Sequence, residues 1–278
     1  MKIMPLGDSI TEGVVAGGYR LPLYNLLTAA GDSVQFVGSQ TINPGSLPAD
    51  QTHHEGHGGY VIAGYPIPAG GGNRKGITEN IGTWLGPTGA DPDVILLMIG
   101  TNDVYFNPHD HLAATAPDRL SDLISRISSK TTGLKPNAAL IVAQVTPDAL
   151  SDASLTRAYN AGVASVVANH RALGENVSMV NMYSALDPKT DFVDGEHPNA
   201  GGCNKMAAVW FDGIRAVAHA PEPGSAALLT TGVLGAFAWS IKKTGCRPLA
   251  LRFGRDRLGL RPRSGNRIKV HAMPKDTE

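Results

Sequence analysis

The chain begins Met1-Lys2-Ile3-Met4-Pro5-Leu6-Gly7-Asp8-Ser9-Ile10-Thr11-Glu12-Gly13, an apolar run that breaks at a glycine and hands over to a serine. Residues 2–6 read as a strand, and Gly-Asp-Ser is turn chemistry. A serine among small residues just past a strand presents its hydroxyl at that strand's C-terminal edge. Open α/β sheets keep their chemistry there. Alone, Gly7 to Thr11 is a weak signal, because a serine after a strand is usually a helix cap. It gains weight from Gly100-Thr101-Asn102-Asp103 and Asp194-Gly195-Glu196-His197-Pro198, which follow in order at intervals of roughly 90 residues.

Outward from that strand the chain alternates. Tyr19 to Ala30 carries Leu21, Leu23, Leu26 and Leu27 at helical spacing and stops at Gly31-Asp32. Ser33 to Val37 reads as a second strand. Residues 39–75 are Gly-, Pro- and His-rich with little periodicity, and so long a loop in a compact domain is usually functional. A short helix is expected over Ile77 to Leu85. Val94 to Ile99 is almost wholly apolar after Asp91-Pro92-Asp93, as a buried parallel strand would be. Helices are expected at Pro117 to Ser129, Ser154 to Leu173 and Ala200 to Ala218, with strands at Ala139 to Val145 and Val177 to Met182. Strands alternating with helices imply an α/β fold with a parallel sheet, here five-stranded, covered by helices on both faces.

The 278 residues allow one large domain and an appendage. The net charge is zero, but residues 242–278 hold eleven Lys/Arg against three Asp/Glu, which leaves 13 basic and 21 acidic residues in the rest. An acidic body thus carries a basic tail. That tail lacks interleaved aromatics, so nucleic acid is not an expected partner. Cys203 and Cys246 make neither a disulfide framework nor a metal pattern. No charged and apolar leader precedes the first strand; either the protein is not exported or the sequence starts downstream of its true N-terminus.

After Ala218 the character changes. Pro221-Glu222-Pro223 ends any helix, and Gly224 to Ile241 is 18 residues without a charge, closed by Lys242-Lys243. At about 1.5 Å per residue a helix there is just long enough for a hydrocarbon core; a buried C-terminal helix is the other reading. The Arg-, Gly- and Pro-rich remainder reads as disordered. The expected divisions are 1–218, a catalytic domain; 219–245, an apolar segment; and 246–278, a basic tail.

Hydrolysing an ester needs a nucleophile, a base for its proton and donors for the developing oxyanion. Ser9 can be the nucleophile. His197 can be the base, because imidazole exchanges a proton near neutrality. Asp194, three residues earlier in a turn, can hold the ring tautomer and stabilise the imidazolium. Asn102 lies just past the third strand, level with Ser9 if the two strands are neighbours, and its amide can donate to an oxyanion. Gly58-Gly59, in the long loop, can bring a backbone N–H close. His54-Glu55-Gly56-His57 falls one residue short of a zinc helix motif, so no metal is expected. No Gly-x-Ser-x-Gly elbow is present, against an ordinary α/β-hydrolase.

Residues 1–218 resemble an SGNH hydrolase of the GDSL esterase superfamily. The family's four blocks fall on Gly7-Asp8-Ser9-Ile10-Thr11; on Gly59 within Glu55-Gly56-His57-Gly58-Gly59-Tyr60; on Gly100-Thr101-Asn102-Asp103; and on Asp194 with His197. The resemblance implies a flavodoxin-like three-layer α/β/α sandwich, a Ser9–His197–Asp194 triad, and an oxyanion hole of the Ser9 N–H, the Gly59 N–H and the Asn102 amide. No cofactor is implied. The opening strand, Tyr19-Arg20, Val37-Gly38-Ser39 and Glu55-Gly56-His57 are similar to carbohydrate esterase family three, whose members remove acetyl groups from xylan. Two departures lie near the substrate entrance: a Gly/Pro-rich stretch at 61–76, and Tyr60 where tryptophan is expected. The expected activity is hydrolysis of small acyl esters, acetyl on a polysaccharide such as xylan, by a monomeric catalytic domain. The alternatives are an SGNH lysophospholipase or thioesterase, and an anchored carbohydrate-binding protein without activity. Pro221-Glu222-Pro223, the apolar span and the basic cluster resemble a PEP-CTERM sorting signal. That implies a bacterial exported or cell-envelope protein, with transient membrane or exosortase contact through the tail; without export the protein would be cytoplasmic.

Overall fold

The computed structural model describes residues 1–218, apart from 16, 68–70, 87–88, 107–111, 130–134 and 136–137. The expected 219–245 segment and the 246–278 tail lie outside the described residues.

Five parallel strands form the sheet: β1 (Lys2–Gly7), β2 (Gln35–Phe36), β6 (Val94–Met98), β7 (Ala139–Ala143) and β8 (Val177–Val180), in the order β2-β1-β6-β7-β8. This is the flavodoxin-like order, and it reverses direction between β1 and β6. Every residue of β6 and β7 is buried, which explains their unbroken apolar sequences. Helices α2 (Arg20–Ala29) and α7 (Ala200–Ala218) pack together, as do α5 (Ala116–Ser128) and α6 (Ala153–Ala172). The two pairs are the outer layers of the sandwich, and one continuous core of buried apolar residues runs between the layers.

The long 39–75 loop is more ordered than its sequence suggests. A two-residue strand β3 (Glu55–Gly56) joins the sheet by pairing with Leu6 and Gly7 of β1. Strand β2 pairs only with Lys2 and Ile3, so β3 takes over where β2 leaves off. Pro5 sits at this handover. Ile3 O accepts from Val37 N on that edge and Gly7 O accepts from His57 N. Pro5, two residues from each, turns its missing N–H toward the gap, so a proline is tolerated in a central strand. Further along, β4 (Tyr65–Pro66) and β5 (Asn73–Arg74) pair antiparallel, so the described part of the Gly/Pro-rich 61–76 stretch forms a paired arm. Arg74 stacks its guanidinium 3.4 Å from the Phe106 ring centroid, which ties the arm to the chain just beyond β6.

Several expected boundaries move inward. The expected 33–37 strand is ladder-bonded only at Gln35–Phe36, and the 177–182 strand ends at Val180. The expected 77–85 helix closes regular turns only over α3 (Ile81–Trp84). Two one-turn helices at strand ends, α1 (Ser9–Glu12) and α4 (Thr101–Tyr105), carry the residues singled out above.

Candidate active site

Asp8 caps α1: its Oδ1 accepts from Ile10 N at 3.1 Å, and Gly13 closes the turn in a left-handed conformation. Ser9 is therefore the first residue of a one-turn helix at the C-terminal end of β1, beside the switch point. Its N–H has no intrahelical acceptor. Across the sheet edge, His197 Nε2 lies 3.0 Å from Ser9 Oγ, and His197 Nδ1 lies 2.8 Å from Asp194 Oδ2. The other carboxylate oxygen of Asp194 accepts the backbone N–H groups of Glu196 at 3.0 Å and His197 at 2.8 Å. Asp194 thus organises the turn as well as the ring. Its partial burial works to raise its pKa, but the hydrogen bonds from His197 and Glu196 outweigh that, and the carboxyl titrates at about 2.

Asn102 belongs to α4, which starts at the end of β6, next to β1. Gly100 leads into it with φ of 118°, and a Cβ there would sit 2.3 Å from the Tyr159 ring, so only glycine fits. Asn102 Nδ2 donates to Tyr60 O at 2.9 Å, which leaves its second amide hydrogen for another acceptor. The adjacent Asp103 accepts from Ile62 N at 3.1 Å and from Arg119 at 2.7 Å. Burial pushes the Asp103 carboxyl up despite Arg119. Residues 60–62 are therefore pinned to α4 by two neighbouring side chains.

Gly58 and Gly59, the two candidate backbone donors, differ in their hydrogen bonds. Gly58 N donates to Glu12 Oε2 at 2.7 Å and is occupied. The Gly59 N–H has no hydrogen bond among the described residues. The segment leading to it is held from several sides. Gly56 lies so close to α1 that a Cβ would be 2.2 Å from Glu12 N. Glu55, buried, accepts from both Ser39 N and Ser39 Oγ, and from His57 Nε2 at 2.9 Å. The His57 ring stacks between Tyr60 and Trp84, at centroid distances of 4.8 and 4.4 Å. His54-Glu55-Gly56-His57 is accordingly no helical metal motif. It is strand and turn, with His54 Nε2 on Ile42 O at 3.0 Å.

Ser9, His197 and Asp194, far apart in sequence, are thus in direct hydrogen-bond contact. Gly59 and Asn102 flank Tyr60, whose carbonyl takes the Asn102 amide. Sequence reasoning missed the supports: Glu12 on Gly58, Arg119 on Asp103, and the Glu55–Ser39–His57 group. These carry little local signal, because Glu12 and Gly58, Arg119 and Asp103, and Ser39 and Glu55 are brought together from separate stretches of chain.

A second Ser–His–acid chain lies elsewhere. Ser121 Oγ is 3.0 Å from His170 Nε2, and His170 Nδ1 is 2.8 Å from Glu175 Oε2. Ser121 is in the middle of α5, where backbone N–H groups are held by the helix, so no oxyanion donor is at hand. This group fastens α5 to the end of α6.

Residues 6–204 match the GDSL-like Lipase/Acylhydrolase family, and the chain belongs to it. A multidomain esterase of Ruminococcus flavefaciens is 32% identical over 242 residues, 80% of this chain and 29% of that protein, so the chain spans under a third of that relative's length. Among solved structures, a Clostridium thermocellum family 3 carbohydrate esterase is 37% identical with a TM-score of 0.62, over 78% of this chain and 96% of that one. A carbohydrate esterase family 3 structure from Talaromyces cellulolyticus shares the fold at 24% identity and a TM-score of 0.62, over 80% of this chain and 100% of that one.

Proposed function

We propose that Ser9, His197 and Asp194 are a catalytic triad that removes small acyl groups, acetyl above all, from an esterified polysaccharide such as xylan. The observation that carries this reading is the unbroken chain from Ser9 Oγ to His197 Nε2 at 3.0 Å and from His197 Nδ1 to Asp194 at 2.8 Å. Ser9 Oγ attacks the ester carbonyl carbon as its proton passes to His197 Nε2. The oxyanion so formed receives the Ser9 N–H, the Gly59 N–H and the free hydrogen of the Asn102 amide. His197 then returns the proton to the departing sugar oxygen, and water repeats the sequence on the acyl-enzyme. Asp194, ionised at any working pH, stabilises the imidazolium throughout.

The acetyl-sugar assignment is supported by the 37% identity to a family 3 carbohydrate esterase and by the sequence context around β1 and β3. Acetate release from acetylated xylan, measured against fatty-acid release from long-chain esters, tests it. Faster turnover of acetylated xylan is expected; faster turnover of the long chains would overturn the sugar-ester reading in favour of a lipid substrate. We also keep the reading of residues 219–245 as a sorting segment on an exported, envelope-associated bacterial protein. It rests on the Pro-Glu-Pro, apolar and basic succession alone. A fusion of residues 219–278 to an exported reporter tests it: membrane-associated reporter supports the reading, and fully released reporter overturns it.

A further inference from the structure

We propose that Glu196 is a specificity-determining residue: its half-buried carboxylate, on the same turn as the base, makes the site discriminate against esters that carry a negative charge. The inference rests on the triad reading above. It starts from the turn itself. Asp194 Oδ1 binds the N–H groups of Glu196 and His197, and Gly195 O accepts from Ala149 N at 2.8 Å, docking the turn on the loop after β7. In that loop Asp148 Oδ1 accepts from Leu150 N at 3.0 Å and from Ser151 N. Asp148 and Asp194 therefore have structural partners for their charge. Glu196 has none: no hydrogen bond to its side chain and no ion pair is found among the described residues.

An unpartnered carboxylate is expected to reach for water, yet this one is only partly exposed. Burial holds it above the usual carboxylate range; His197 works against that, while Asp148 and Asp194 add to it. Its charge is also felt by Asp8, the residue that precedes Ser9. Glu196 adjoins His197 on a turn that Asp194 Oδ1 holds through both backbone N–H groups, so its charge sits beside the base. Arg119, Lys205 and Arg215 pair with other carboxylates, those of Asp103, Asp191 and Asp32. A neutral acetyl ester enters this field without penalty, whereas a substrate with its own carboxylate meets a like charge in a site partly screened from water. Separations of several ångström at a partly buried site correspond to about tenfold in rate for one unit charge. The product acid, an anion, is pushed out by the same field.

Two acetyl esters that differ by one charge test this: 4-acetoxybenzoate and its neutral counterpart 4-acetoxybenzamide. Their kcat/KM values, each divided by the ester's alkaline hydrolysis rate, are compared in the full chain at about pH 8, where free carboxylates are ionised. The wild type is expected to prefer the amide by about tenfold. In Glu196→Gln the preference should fall to about twofold or less, and Glu196→Asp should retain most of it. Raising salt from about 0.02 M to about 0.5 M should shrink the wild-type preference and leave that of Glu196→Gln unmoved. An unchanged ratio in Glu196→Gln overturns the inference. So does an equal loss on both esters, which would make Glu196 a support of the turn. If the wild type turns over neither ester, the triad reading beneath the inference fails with it.

Discussion

Ser9 is held by its neighbours more than by its own bonds. Asp8 caps the turn that presents it, and His197 takes its only side-chain hydrogen bond among the described residues. Ser9→Ala should keep the fold and reduce activity to about a thousandth or less, since removing a triad nucleophile costs several orders of magnitude. Activity at a tenth of wild type would refute the nucleophile assignment. Asn102→Ala should lower kcat by roughly a hundredfold, the worth of one oxyanion donor at about 3 kcal/mol. It also frees Tyr60 O, so a loss confined to KM would mean that the amide only positions the loop. Asp8 itself predicts a pH effect. Its Oδ2 is buried with no hydrogen-bond partner among the described residues, and burial raises the carboxyl from 3.8 to about 7. Folding therefore favours its protonated form. The associated stabilisation is complete below about pH 4 and is lost as pH rises through about 7. His54 runs the other way: burial lowers it from 6.5 to about 3, so its contribution is present above 6.5 and lost on acidification. A comparison of wild type with Asp8→Asn at the same two pH values cancels His54. Asparagine keeps the cap. Between about pH 5 and about pH 8 the wild type should lose more stability than Asp8→Asn, by about 2 to 3 kcal/mol, read from urea midpoints. Equal losses would show that Asp8 is ionised throughout.

At the scale of elements, the site depends on how α4 grips the 60–62 segment. Asp103 is fully enclosed and joins Arg119 on α5 to Ile62 N. Arg119→Met removes one partner of a buried pair, which costs about 3 kcal/mol because the remaining charge is left uncompensated. Asp103 can escape by binding a proton. The deficit should therefore be larger at about pH 8 than at about pH 5, because the variant's folded state holds a proton that the unfolded chain releases. A deficit independent of pH would mean that only packing was lost. What could be read in advance at this scale follows the physics of each element. Strands β6 and β7 announce themselves because burial on both faces demands unbroken apolar sequence. The helices α5 and α6 carry the 3.6-residue spacing of one buried face. Strand β3 carries no such mark. Two residues, Glu55 and Gly56, are too few for a period, and what makes them a strand is the free edge of β1 beside them. The β4–β5 arm is hidden for the same reason: its pairing is set by the partner strand and by the Arg74–Phe106 stack.

For the whole molecule, the order of elements along the chain carries most of the topology. Alternating strands and helices with short connections allow few arrangements once crossovers are right-handed, and a switch point between β1 and β6 is among them. Asn102 is level with Ser9 by sequence only on the condition that their strands are neighbours, and the pairing of β1 with β6 meets that condition. The meeting of Ser9 with His197 was legible only through the spacing of three motifs, because the turn that delivers His197 follows β8, at the far edge of the sheet. Where the catalytic unit ends is a separate question. Helix α7 closes the layer against α2: Trp210 is fully buried, its ring 5.9 Å from that of Tyr19, and Arg215 pairs with Asp32 at 3.0 Å. These contacts complete the core by Ala218, and residues 1–220 form one compact unit. Pro221 and Pro223 cannot extend the helix. A fragment of residues 1–218 should therefore be soluble, unfold cooperatively and hydrolyse 4-nitrophenyl acetate with a kcat/KM within about twofold of the full chain, since no piece of the site would be missing. Folding of the fragment is measured by urea denaturation and turnover by nitrophenol release. An insoluble or inactive fragment beside a soluble, active full chain would show that the apolar span from Gly224 to Ile241 belongs to the core. The sorting-segment reading would then fail.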